Sequence, residues 1–165
     1  MEKKNLDWSN IGFGYVQTDK RYVSNFKDGA WDEGTLTSDA TVQISECAGV
    51  LQYAQTVFEG MKAYRRADGK VQLFRPMENI KRMNNSAERL CLPQIPEDDF
   101  MQILDTFISL EQDWVPSAEG TSLYIRPFMF GNDENLGVHA VHHATFVIIL
   151  SPVGSYFDNG MEPVK

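Results

Sequence analysis

The chain has 165 residues, 42% of them hydrophobic and 12% aromatic, which is enough for one domain with a buried core. Its formal net charge of -8 disfavours nucleic acid as a partner, because no basic stripe exists to neutralise phosphates. The most apolar run, residues 146–150, is too short to cross a bilayer, and no signal-peptide pattern follows Met1. The two cysteines, Cys47 and Cys91, are typical of buried thiols in a reduced protein. We therefore expect a cytoplasmic protein with neither nucleic-acid nor membrane partners.

The first part of the chain predicts short elements joined by turns. Residues 13–16 and 22–26 are strand-like, and Asp28-Gly29 is a turn signal. A short helix is predicted within residues 49–60, with Gly60 as its end or as a turn.

Four further strands are indicated. Residues 61–64 and 71–74 flank Asp68-Gly69, and this order favours a hairpin. Residues 123–126 alternate apolar and polar side chains, as a half-buried strand does. Residues 145–150 form a nearly continuous apolar run, which predicts a central strand.

Two amphipathic helices lie between these strands. The first begins at Pro76, runs to about Leu90 and has an apolar face of Met77, Ile80, Met83, Ala87 and Leu90. The second begins near Pro96 and is closed by Pro116, with a buried stripe of Phe100, Ile103, Leu104, Phe107, Ile108 and Trp114. The order of elements indicates an α+β fold in two layers, an antiparallel sheet with helices.

Two groups of polar side chains are candidates for a binding site. Arg82 lies beside the apolar stripe of the first helix, where a guanidinium could grip a phosphate with two parallel hydrogen bonds. Periodicity alone favours a simpler interpretation, a solvated charge with a buried stem. Tyr124 and Arg126 share one face of a strand and could line a pocket for a carboxylate. By themselves they are better explained as the exposed polar face of an antiparallel sheet.

His139, His142 and His143 lie close together before the last strand. Their spacing does not match a helical pair of metal ligands, and no cysteine lies nearby. A titrating loop cluster is therefore favoured over a zinc site, and no metal is predicted.

Several strings of residues, in this order, resemble branched-chain amino acid aminotransferases. They are distributed over residues 50–157, which make up most of the chain. The strings are 58–64 (FEGMKAY), 73–93, 123–127 (LYIRP), Gly131-Asn132, Leu136-Gly137-Val138 and 151–157. The resemblance implies fold type IV of the pyridoxal-phosphate enzymes, in which the cofactor lies between a small N-terminal α+β domain and a larger C-terminal domain. Residues 1–157 would be the small domain and 158–165 the start of the interdomain linker, with the C-terminal domain absent.

The resemblance also implies an activity and a set of site residues. Members of the family transfer the amino group of leucine, isoleucine or valine to 2-oxoglutarate, and they are usually homodimers or larger. Arg82 would bind the phosphate of pyridoxal 5'-phosphate, which reverses the simpler interpretation of this residue. The substrate pocket would be lined by Tyr53, Phe58, Tyr124 and Arg126, and Val138 would reach the site of a neighbouring subunit.

The lysine that forms a Schiff base with the cofactor lies in the C-terminal domain of the family, and none of the eight lysines here matches its context. Lys62 is interpreted as a structural or pocket-rim charge. We therefore expect the chain alone to be inactive, to contribute no catalytic residue and not to bind the cofactor stably. Two alternatives stay open: a relative of the same fold acting on D-amino acids or aminodeoxychorismate, and a non-catalytic binding or oligomerisation module.

Overall fold

The computed structural model describes residues 6–156, so the predicted linker at 158–165 lies outside the described residues. Within this range the strands are β1 (Arg21–Lys27), β2 (Ala30–Trp31), β3 (Thr35–Thr37), β4 (Thr56–Phe58), β5 (Met61–Arg65), β6 (Val71–Leu73), β7 (Ser122–Gly131) and β8 (Ala144–Val153). The helices are α1 (Gly49–Tyr53), α2 (Pro76–Arg89) and α3 (Glu97–Leu110), with 3₁₀-helices at Trp8–Asn10 and Gln112–Trp114. None of the helices in the described part is both long and apolar enough to cross a membrane.

The eight strands form one antiparallel sheet in the order β2-β1-β8-β7-β5-β6, with β3 added beside β1 and β4 beside β7. β7 and β8 pair over ten residues each, from Ser122 opposite Val153 to Gly131 opposite Ala144. The apolar run predicted as a central strand is β8, which lies between β1 and β7. The α+β prediction is therefore confirmed.

Two of the predicted turns are explained by backbone conformation. Asp28 and Gly29 both have positive φ, 53° and 83°, the combination that lets a tight turn follow the twist of its strands. Gly69, with φ of 81°, makes the corresponding turn between β5 and β6.

The hydrophobic core lies between one face of the sheet and helices α2 and α3. Alternation along the strands turns Leu123, Ile125 and Met129 of β7, with Phe146, Ile148 and Leu150 of β8, towards the helices. The helices contribute Ile80, Met83, Ala87, Phe100, Leu104 and Phe107, all buried as their periodicity predicts. The opposite face of β7 therefore carries Tyr124 and Arg126.

Four details differ from the sequence prediction. α1 ends at Tyr53, where Ala54 adopts a left-handed conformation, and a strand rather than a helix precedes Gly60. Residues 13–16 form no strand; they cross the sheet, with the Val16 amide donating to Ser151 Oγ at 2.9 Å. α3 ends at Leu110, before Pro116.

The prediction of two buried thiols is also wrong. Cys47 is half-buried and Cys91 is exposed. Cys91 lies just after α2 with φ of 53°, in the turn that reverses the chain, so its side chain is not part of the apolar face of the helix.

Candidate active site

A buried carboxylate holds the side chain of Arg82. Glu59 Oε1 and Oε2 each accept a hydrogen bond of 2.6 Å, from Arg82 Nε and Nη2 respectively. The Glu59 side chain is only 8% exposed, whereas that of Arg82 is 60% exposed. Arg82 therefore lies at the surface, as the simpler interpretation held, but its orientation is set by a partner 23 residues earlier in the chain.

Local structure fixes Glu59 from two sides. Its amide donates to Pro127 O at 2.9 Å, which ties the segment after β4 to β7. From α2, Asn79 Nδ2 donates to Glu59 Oε2 at 3.0 Å and to Gly60 O at 3.3 Å. The carboxylate thus joins the sheet to the helix that carries Arg82.

Both members of the pair are stabilised in their charged forms. Burial raises the pKa of Glu59, but hydrogen bonds from Arg82 and Asn79 outweigh it, so its pKa lies below the usual value. The hydrogen bond to Glu59 raises the pKa of Arg82 above its usual value. Around neutral pH the site therefore presents a guanidinium already paired with a carboxylate.

A second arginine lies on the outer face of β7. Arg126 Nε and Nη2 donate to the hydroxyl of Tyr124 at 3.0 and 2.7 Å. The Arg126 guanidinium also lies over the Phe58 ring, with its central carbon 4.4 Å from the ring centroid. Tyr124 and Arg126 do share one face, as predicted, and each is half-buried rather than fully exposed.

The backbone at Gly60 connects the Glu59–Arg82 pair with the Tyr124–Arg126 pair. An added Cβ at this position would lie 2.5 Å from the Tyr124 hydroxyl oxygen, so the backbone after Glu59 packs against that phenol. A continuous set of contacts therefore runs along one surface, which we call the arginine wall: Phe58, Glu59, Gly60, Arg82, Tyr124 and Arg126.

The sequence prediction did not include Glu59, Asn79 or Phe13. The Phe13 ring meets Tyr124 edge-on, with centroids 5.5 Å apart, and extends the arginine wall with an aromatic surface. Lys62 Nζ lies 5.9 Å from the centroid of the Phe13 ring. The string Phe58-Glu59-Gly60 belongs to the family resemblance and could have indicated Glu59 as a site residue. The segment around Phe13 has no periodicity that could have indicated its contacts.

Tyr53 and Val138 lie in a different part of the surface. The Tyr53 hydroxyl donates to Leu136 O at 2.5 Å, so α1 contacts the loop after β7. Val138 in that loop is 83% exposed. Neither residue has a contact with the arginine wall among those found in the described part of the chain.

His139, His142 and His143 all lie in the loop between β7 and β8. His143 Nδ1 lies 3.1 Å from Asp133 Oδ1, and the rings of His139 and His142 are 5.5 Å apart. Among residues 6–156, no group of three or more histidine, cysteine, aspartate or glutamate side chains is arranged to hold a metal ion. These residues border a cavity of about 800 Å³ between β1 and the loop after β7.

A separate groove of about 460 Å³ lies between β1, β3 and α3. It is lined by Tyr22, Trp31, Asp32, Asp99 and Phe107, among others. Because it shares no lining residue with the arginine wall, it belongs to neither candidate group from the sequence.

Comparison with known proteins defines the class. The sequence profile of the amino-transferase class IV family matches residues 56–156, which include the arginine wall. The chain belongs to this family.

Individual relatives within the family carry more specific names than the family itself. The chain is 45% identical over 161 residues to a branched-chain-amino-acid aminotransferase of Haemophilus influenzae, covering 97% of this chain and 47% of that protein. It is 44% identical over 165 residues to branched-chain-amino-acid transaminase 1 of Bacillus subtilis, covering 99% of this chain and 46% of that protein. The chain thus spans about half the length of the curated relatives it matches.

A solved structure shows the same fold. The branched-chain amino acid aminotransferase of Escherichia coli superposes with a TM-score of 0.64 at 24% identity, over 85% of this chain and 41% of that one. The predicted fold, the small N-terminal domain of the fold type IV aminotransferases, is therefore confirmed.

Proposed function

We propose that this chain forms one wall of a pyridoxal-phosphate-dependent active site, in a protein that transfers the amino group of leucine, isoleucine or valine to 2-oxoglutarate. The observation that carries the proposal is the arginine wall, which joins a phosphate-binding candidate to a carboxylate-binding candidate through Gly60. The substrate class is supported by relatives at 44–45% identity that are named for branched-chain amino acids.

Arg82 fits the phosphate of the cofactor. Its guanidinium is largely exposed, and Nη1 has no hydrogen-bond partner within residues 6–156. Free N–H donors on a planar cation are suited to phosphate oxygens. Pyridoxal phosphate, when bound, supplies the electron sink that amino-group transfer requires.

The rest of the arginine wall suits an amino acid. We propose that Arg126, with Tyr124 as its hydrogen-bonded neighbour, binds a substrate carboxylate. The exposed rings of Phe58 and Phe13 offer an apolar surface for a branched side chain. We assign these residues to binding and orientation and assign no proton transfer to this chain.

The dimer contact, the second domain and the cellular location are also proposals. Leu136 and Val138, 74% and 83% exposed, form an apolar loop that would suit contact with a second copy in a homodimer, and Tyr53 supports that loop. A second domain, matching the other half of the relatives' length, would supply the lysine that binds the cofactor. We propose a cytoplasmic location, which is consistent with two free cysteines.

Amino-group transfer by the protein encoded by the complete gene tests the proposal. Leucine, isoleucine and valine should each react with 2-oxoglutarate, and D-alanine and aminodeoxychorismate should not. Activity confined to either of the last two would support another enzyme of this fold, and no activity with any of them would favour a binding or oligomerisation module. The 165-residue chain alone should show no stoichiometric visible absorption band with pyridoxal phosphate; a band that maps to one of its lysines would contradict the assignment of that lysine to a second domain.

A further inference from the structure

We propose that Glu59 is a positioning residue for the cofactor phosphate. It binds the side edge of the Arg82 guanidinium, formed by Nε and Nη2, and so directs the end edge, formed by Nη1 and Nη2, to the phosphate. The inference rests on the proposed function, in which Arg82 binds that phosphate. It adds a role for a residue whose own atoms need not touch the cofactor.

The geometry of the guanidinium carries the first step. Five N–H donors lie in one plane, and they form two edges that can each meet a pair of oxygens. Glu59 occupies the side edge, Nε and Nη2, with two bonds of 2.6 Å. The end edge keeps one N–H of Nη1 and one of Nη2, which is enough for two phosphate oxygens, and the second N–H of Nη1 points to the opposite side of the group.

The second step is that Glu59 itself cannot easily move. Its side chain is 8% exposed, its amide is bonded to Pro127 of β7, and Asn79 of α2 donates to its Oε2. If Arg82 turned away, a buried carboxylate would lose its cationic partner, which is strongly unfavourable. The arginine is therefore held in one orientation before any ligand arrives, although its outer end is in solvent.

The third step separates two effects of Glu59: the orientation that it gives to Arg82 and the negative charge that it places beside Arg82. A carboxylate beside Arg82 reduces the net attraction for a phosphate, so charge alone predicts that removing Glu59 would strengthen phosphate binding. Orientation predicts the opposite, because a mobile arginine must be ordered when the ligand binds. Glu78, one turn before Arg82 on α2, provides the comparison: its charge acts on Arg82 without a hydrogen bond, and it forms a separate pair with Arg75 at 4.0 Å.

The experiment compares pyridoxal phosphate with pyridoxal, which lacks the phosphate, in the protein encoded by the complete gene. Dissociation constants of both are measured by absorbance for wild type, Glu59→Gln, Glu59→Asp and the matched control Glu78→Gln. Glu59→Gln should weaken binding of the phosphorylated form about tenfold or more, the scale seen when the outer partners of metal ligands are removed. Pyridoxal affinity should be unchanged, Glu59→Asp should show a smaller loss, and Glu78→Gln should show none.

A phosphorus NMR spectrum of the bound cofactor gives a readout that is independent of activity. The signal should shift in Glu59→Gln and stay in place in Glu78→Gln. If Glu59→Gln does not fold, Asn79→Ala removes the hydrogen bonds from α2 to the Glu59 carboxylate and to Gly60 O, keeps the Glu59 charge, and should give a weaker form of the same selective loss.

Several results would overturn the inference. Equal weakening of both ligands would show that Glu59 only supports the fold, and tighter binding of the phosphorylated form would show that its charge dominates. Arg82→Gln separates this failure from that of the proposed function. A selective effect of Arg82→Gln without one of Glu59→Gln removes only the positioning role, whereas no selective effect of Arg82→Gln removes the phosphate assignment itself.

Discussion

Gly60 and Tyr124 are packed so closely that a methyl group cannot be added between them: an alanine Cβ would lie 2.5 Å from the phenol oxygen and 3.1 Å from Cζ. Gly60→Ala should therefore displace Tyr124 and disturb its bonds to Arg126. A misplacement of this size can lower kcat/KM by about a hundredfold. Steady-state kinetics with leucine would measure the loss.

The same contact provides a control. In a Tyr124→Phe background the hydroxyl oxygen is gone, so most of the overlap with an alanine at position 60 is relieved. The double variant should lose less activity than the product of the two single effects. Strictly multiplicative losses would mean that Gly60 acts through something other than Tyr124.

Arg126 should not be replaceable by lysine. A single ammonium group cannot both donate two N–H groups to Tyr124 from one plane and place a planar cation over the Phe58 ring. Losing one charge-assisted hydrogen bond costs about 1.5–3 kcal/mol, so the KM for the amino acid should rise at least about tenfold in Arg126→Lys. Arg66→Lys is the matched control, because Arg66 forms an exposed ion pair with Asp68 on a distant turn. An unchanged KM in Arg126→Lys would exclude Arg126 from substrate binding.

Phe100 should be among the costliest residues to truncate. It is fully buried in α3, and its ring centroid lies 6.4 Å from that of Phe146 in β8, so it joins the helical layer to the sheet. Phe100→Ala should lower the free energy of unfolding by about 3–5 kcal/mol. Urea denaturation measures this, and Asp105→Ala on the exposed side of α3 should change it by less than about 0.5 kcal/mol. A loss for Phe100→Ala no greater than that of the control would contradict the assignment of Phe100 to the core.

Glu111 should make the protein less stable as pH rises. Burial and the neighbouring charge of Asp19 raise the pKa of this carboxyl, although the Asp19 and Lys20 amides and the Lys20 charge act in the opposite direction. The folded state then binds the proton more tightly than the unfolded state, so stability is greatest below the unfolded pKa of about 4.3 and decreases as pH rises through the folded pKa.

Glu111→Gln tests this directly, because glutamine stays neutral and can still accept the Asp19 amide, now bonded at 3.1 Å. Thermal unfolding from about pH 4 to about pH 8 should show the variant gaining on wild type as pH rises. Glu119→Gln, an exposed position, should follow wild type throughout. A constant difference between Glu111→Gln and wild type would mean that the carboxyl does not titrate differently on folding.

Local patterns predicted most of the fold. The three- and four-residue spacing of apolar side chains identified α2 and α3, and the Asp-Gly pairs identified a turn at Asp28-Gly29 and a hairpin at Asp68-Gly69. β4 was predicted as helix because a three-residue strand, Thr56–Phe58, is too short to show alternation. Its conformation is set by pairing with β7, a segment about 70 residues later in the sequence.

The candidate site was less accessible to sequence reasoning. Tyr124 and Arg126 share a face because of strand geometry, and this alone could be predicted from spacing. The Glu59–Arg82 pair depends on how α2 packs beside the end of β4, and no local pattern encodes that packing. Arg82 was selected by resemblance, and its assignment to the phosphate stays a prediction, as do those of Tyr53, Phe58, Tyr124, Arg126 and Val138.

β4 and β5 pair with the same strand, β7, with Phe58 opposite Phe128 and Met61 opposite Ile125. The number of residues between β4 and β5 is therefore fixed by the register of both strands on β7. One inserted or deleted residue would turn every later side chain of β5 to the other face. An insertion or deletion in the Glu59-Gly60 segment should therefore disrupt the pairing of β5, whereas a substitution at either position keeps that pairing and acts on the candidate site.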